Sequence, residues 1–127
     1  MTRQRPGFTG AVSARRLAAE SEDSLLVVYA VAFDPGARTD WHTHPNGQGL
    51  YVTDGVAIIE VEGQRSIRLE AGESVWIAPH VRHWHGALSN NPMSHVAYQT
   101  AAIDGTTVRW HEPVSDSDYA QAIKEPN

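Results

Sequence analysis

From Ser24 onward the sequence is cut into short runs of β-branched and aromatic residues, each ended by a turn signal. This pattern excludes helical bundles and alternating α/β folds. SLLVVYAVAF (24–33) is stopped by DPGA, and GLYVT (49–53) by the tight-turn pair DG (54–55). VAIIEVEGQRSIRLEAGE (56–73) reads as strand, turn at EGQ, strand, turn at AGE. Within it Val56, Ile58 and Glu60 share one side, and Ile67 and Leu69 alternate with Arg68 and Glu70. SVWIAPHV (74–81) is a strand ending near Pro79, SNNPM (89–93) a turn, SHVAYQTAAI (94–103) a strand, and DGTTVRWHE (104–112) a turn with a further strand. Short strands at such spacing predict a sandwich or small barrel. AVSARRLAAE (11–20) fits an N-terminal strand or a short helical turn. SDSDYAQAIKE (115–125) predicts a short C-terminal helix, with Ser115 as its cap and Asp118 three residues on.

The 127 residues suit one domain spanning 1–127, large enough to bury a core, with its chemistry expected between about 24 and 112. A net charge of −5 without a basic stripe argues against nucleic acid as a partner. No apolar run is long enough to cross a membrane, and the basic start MTRQRPGFTG leads into no apolar segment, so no leader is read and a cytoplasmic location is expected. Cysteine is absent, which removes disulfides, thiolate ligands and a cysteine nucleophile. Histidine, Asp, Glu and amide oxygens remain as ligands.

Of the seven histidines, four fall in WHTHP and RHWHG. In a strand, residues i and i+2 face the same way, about 6–7 Å apart, so His42 and His44 can reach a common ion. The Pro-Asn-Gly stretch after them turns the chain and can return Gln48, a neutral oxygen ligand, to the same face. His83 and His85 repeat the spacing, with Trp84 facing away. His95 lies on the following strand, with Ala97 and Gln99 on its side. Barrels gather inward side chains from separate strands, so five histidines from three strands can line one cavity, and a metal site is predicted there. His80 and His111 are read as surface residues, and Trp41, Trp76, Trp84 and Trp110 as core packing or apolar wall.

These residues resemble the cupins. The first cupin motif, G-x5-H-x-H-x3,4-E-x6-G, is matched in every spacing by Gly36, His42, His44, Gln48 in place of Glu, and Gly55. The second, G-x5-P-x-G-x2-H-x3-N, is matched more loosely. Gly72 opens it, Ala78 takes the Pro position, His80 the Gly position, His83 the ligand position and Ala87 the final Asn. The resemblance implies a jelly-roll β-barrel. FDPGARTDWHTHPNGQ, GESVWIAPHVRHWHGA, PMSHVAYQ and the closing DGTTVRWHEPVSDSDYAQA, with FTG at 8–10, are similar to a subgroup of small bacterial cupins. It includes manganese-dependent hydroxynitrile lyases and carboxymuconolactone-decarboxylase-like proteins.

That resemblance implies one divalent ion held by His42, His44, Gln48 and His83, with His85 and His95 as pocket histidines that move protons. Mn(II) or Fe(II) is favoured, while mixed imidazole and amide ligation also accepts Zn, Ni or Co. Three imidazoles and an amide carry no charge, so the ion keeps its full +2 and acts as a strong Lewis acid. The expected activity is a lyase or isomerase acting on a small oxygenated molecule, above all reversible C–C cleavage of a cyanohydrin. An Fe-dependent dioxygenase and a non-catalytic binding cupin are the competing readings. A homodimer is expected, because an exposed sheet edge left unpaired is a liability.

Overall fold

The structure is a computed structural model describing residues 7–124, so Glu125, the last residue of the expected helix, and the start of MTRQRPGFTG lie outside the described residues. Twelve strands and one helix follow in order. They are β1 (Phe8–Thr9), β2 (Val12–Ala18), β3 (Leu26–Phe33), β4 (Arg38–Thr39), β5 (His42–Thr43), β6 (Gln48–Asp54), β7 (Val56–Val61), β8 (Ile67–Glu70), β9 (Ser74–Ile77), β10 (His83–Ala87), β11 (Met93–Thr100), β12 (Arg109–Trp110) and α1 (Asp116–Lys124). The ambiguous segment 11–20 is thus a strand.

Two antiparallel sheets face each other as a jelly roll. One runs β2-β3-β11-β6-β9. The other is centred on β10, which pairs with β7 on one side and with β4 and then β5 on the other. The DG turn does not fold β6 back onto β7: the two strands belong to different sheets, and the chain crosses between them with Gly55 at φ 75°. The EGQ turn, by contrast, joins the paired strands β7 and β8.

Alternation along β3 and β11 sends Val27, Val31 and Phe33 inward, opposite Met93, His95, Ala97 and Gln99. Between the sheets they meet Leu50, Val52, Ala57, Ile59 and Ile77. Strand β7 buries three successive residues, Ala57, Ile58 and Ile59. Its outer face is covered too: Ile58 and Trp84 pack against Trp41, Val114, Tyr119 and Ala122.

Helix α1 makes that cover, and it starts as the sequence predicts, with Asp118 N–H donating to Ser115 Oγ at 3.0 Å. Buried Arg38 fixes it by donating to the Val114 carbonyl and Asp116 Oδ1, each at 2.8 Å, with its guanidinium over the Tyr119 ring. Tyr119 Oη donates to the Ala87 carbonyl at 2.6 Å. Of the turn and strand expected over 104–112 the turn forms at 103–105 and the strand is reduced to β12, since residues 101–108 form an irregular connection with Ile103 99% exposed. Among the described residues no helix is long and apolar enough to cross a membrane.

Candidate metal centre

The two motifs meet through strand pairing. His42 of β5 lies directly opposite His83 of β10, and their ring centroids are 4.2 Å apart. His44 falls just past the end of β5, yet its ring still packs edge-on to His42 at 4.9 Å. The Pro45-Asn46-Gly47 turn returns the chain as expected. Gly47 adopts φ 82°, and Asn46 Nδ2 donates to the carbonyls of Thr100 and Ala101 at 3.2 Å. Gln48 then opens β6 with its Oε1 3.2 Å from His83 Nε2. His80 sits on the surface at φ 64°, the left-handed conformation that suits the glycine usual at this motif position. His111 is also exposed.

Three rings share one arrangement of protons. His42 Nδ1 is 2.8 Å from the Asp40 carbonyl, His83 Nδ1 is 3.0 Å from the Val81 carbonyl, and His44 Nδ1 is 2.7 Å from the Thr107 carbonyl. A carbonyl only accepts, so each Nδ1 carries the hydrogen and each Nε2 keeps a bare lone pair. His85 and His95 differ. His85 Nδ1 and His95 Nε2 face each other at 3.1 Å, so one donates to the other. The outer nitrogens, His85 Nε2 and His95 Nδ1, are buried without a partner, as is His44 Nε2. The His85 backbone N–H donates to Thr39 Oγ1 at 3.1 Å, in the gap where β4 hands over to β5.

All five rings are held neutral. Burial pushes His83 and His95 down to about 4, and at His83 the nearby His44 adds to it. Burial and then the neighbouring rings lower His42 and His85 well below the ordinary value. Burial also lowers His44, less strongly because the Thr107 carbonyl and Gln48 oppose it.

A cavity of about 230 Å³ opens onto this cluster. His42, His44, Gln48, His85, His95 and Gln99 make its polar wall, and Phe8, Tyr29, Val31, Phe33, Val108 and Trp110 its apolar wall. His83 is fully buried behind the cavity rather than lining it, so four of the five expected histidines face the space. Of the tryptophans only Trp110 lines it; Trp41 and Trp84 are core, and Trp76 is 57% exposed. Phe8, Tyr29 and Phe33 had no sequence signal beyond their strand positions. The same holds for Thr39 and Thr107, which act through a hydroxyl and a carbonyl.

The cupin domain model matches residues 29–97. The chain belongs to the cupin family. This cupin is 42% identical, over 88% of its length and 85% of the relative's, to an (R)-mandelonitrile lyase of Granulicella tundricola. It superposes on the crystal structure of a cupin-like protein from Thermotoga maritima with a TM-score of 0.85, at 36% identity over 91% of this chain and 87% of that one. A DMSP lyase from Ruegeria pomeroyi shares the fold at a TM-score of 0.69 and 21% identity, over 83% of this chain and 54% of that one.

The cluster is compatible with a metal ion. Ligand-capable atoms of His42, His83 and His85 lie within 4.8 Å of one another. The donor chemistry fits as well. His83 stands between two acceptors, the Val81 carbonyl and Gln48 Oε1, and a neutral imidazole has only one hydrogen to give. Burial opposes a second proton, so with Gln48 oxygen facing Nε2 a cation beside them would satisfy both lone pairs.

Proposed function

We propose that this cupin is a metal-dependent lyase that makes and breaks the C–C bond of a cyanohydrin. His42, His44, Gln48 and His83 would hold one divalent ion, with Mn(II) favoured. One observation carries the reading. The histidines divide into three that offer bare Nε2 atoms and a bonded pair, His85–His95, that offers unpartnered nitrogens to the same cavity. The first set suits cation binding, and the second suits proton transfer. The similarity to a mandelonitrile lyase supports the choice of substrate class.

When bound, the ion supplies a Lewis acid for the substrate oxygen, undiminished by any ligand charge. The chain supplies the rest. Phe8, Phe33 and Trp110 take the organic group out of water and turn the hydroxyl toward the polar wall. His85 Nε2 removes the hydroxyl proton, the C–C bond breaks, and cyanide leaves with the bonding electron pair. The proton then passes from the His85–His95 pair to cyanide, giving HCN and a carbonyl compound. Both rings are neutral in the resting site, which leaves a lone pair ready to accept.

The test is metal analysis followed by cyanohydrin cleavage and synthesis with Mn(II)- and Fe(II)-loaded protein. Stoichiometric metal and turnover in both directions are expected. Oxygen consumption with an electron-rich substrate, and no cyanohydrin turnover, would replace the lyase reading with a dioxygenase.

A further inference from the structure

The geometry points to Gln99 as a positioning residue that holds the Gln48 amide with its oxygen toward the metal. This rests on the metal reading above and concerns a residue outside the ligand set. The β6–β11 ladder ends with Gly49 opposite Tyr98, so the next inward pair is Gln48 opposite Gln99. Both side chains are buried, and Gln48 Nε2 donates to Gln99 Oε1 at 3.4 Å. With its nitrogen held there, Gln48 turns Oε1 toward His83 Nε2.

Two facing amides have two self-consistent states. In the observed one, Gln99 accepts and Gln48 presents oxygen to the histidines. In the other both amides are flipped: Gln99 Nε2 donates to Gln48 Oε1, and Gln48 Nε2 donates to His83 Nε2. The flipped state satisfies His83 without a cation and turns a non-ligating nitrogen into the site. Only the observed state presents oxygen to a metal, and Gln99 supports that state by accepting from the buried Gln48 Nε2. An apolar residue at 99 leaves that N–H unsatisfied, and an acceptor-only residue excludes the flipped state.

The measurement is the Mn(II) dissociation constant from titrations followed by electron paramagnetic resonance, with the melting temperature of each metal-free protein as a folding control. Gln99→Met keeps the volume and removes the acceptor. It is expected to weaken Mn(II) binding about tenfold, the low end of what an outer partner of a metal ligand contributes. Gln99→Glu keeps an acceptor and is expected to bind at least as tightly as the wild type. In a Gln48→Glu background both ends of the side chain are oxygen, so adding Gln99→Met should cost no more than about twofold. Wild-type affinity in Gln99→Met overturns the assignment. So does an equal loss in both backgrounds, which marks packing rather than orientation. Wild-type protein that binds no Mn(II) overturns the metal reading itself and this inference with it.

Discussion

The two His-x-His segments have identical spacing and different chemistry. In WHTHP both rings tie Nδ1 to a carbonyl and leave Nε2 bare. In RHWHG only His83 does so; His85 instead meets His95 from the opposite sheet. Spacing puts two imidazoles on one face, and under the proposed function the partner behind each ring separates a ligand from a proton carrier. A carbonyl fixes one tautomer. A second imidazole leaves the proton free to sit on either ring.

The widest break in that comparison comes from alanine at the two ends of one segment. His83→Ala should abolish stoichiometric metal, whereas His85→Ala should keep it and lose activity by about 10²-fold or more. Elemental analysis beside cyanohydrin kinetics reads both. Equal metal loss in the two variants would erase the division, and it would favour the His42, His83 and His85 grouping as the ligand set.

Acid probes the same division next. His83 and His95 have ordinary values of 6.5 that burial lowers to about 4. The unfolded chain therefore takes up protons first. The contribution of these two rings to the stability of the metal-free protein is full above about pH 6.5 and is lost as pH drops toward about 4. The loss is a few kcal/mol per ring, at about 1.4 kcal/mol per unit of displacement. Bound metal should postpone the fall and be released within the same window, because protons compete for Nε2. Melting temperatures and metal content against pH check this. A flat profile from pH 7 to 4 would mean the rings are not held neutral.

The smallest effect sharpens the comparison from the backbone. Thr39→Val removes the acceptor of the buried His85 N–H and should cost about 1–3 kcal/mol of stability. It should also slow turnover while leaving metal affinity unchanged. Weaker metal binding in that variant would show that His85 is coupled to the ligand cluster more tightly than the hydrogen bonds indicate.

Much of this architecture can be read from residue order. Turn dipeptides and β-branched runs locate most strands, and Pro45-Asn46-Gly47 places Gln48 because local turn chemistry is a short-range property. What does not show is set by tertiary contact. The triple burial of Ala57, Ile58 and Ile59 breaks strand alternation because α1, far along the chain at Asp116–Lys124, covers the outer face. The turn read at Asp104-Gly105 forms, but of the strand expected after it only Arg109 and Trp110 pair, with β5. The backbone carbonyls that fix the histidine tautomers carry no residue-type signal, since every residue has one.

One of those carbonyls has a reach the others lack. His42 and His83 lean on residues two positions before them, but His44 leans on Thr107, sixty-three residues away in the 101–108 connection. That connection bears the fully exposed Ile103 and also contributes Val108 to the cavity wall. Its length and stiffness therefore govern how firmly the His44 ring is held. Under the proposed function, an insertion at Ile103 is expected to make a leaky site from an unchanged set of ligands.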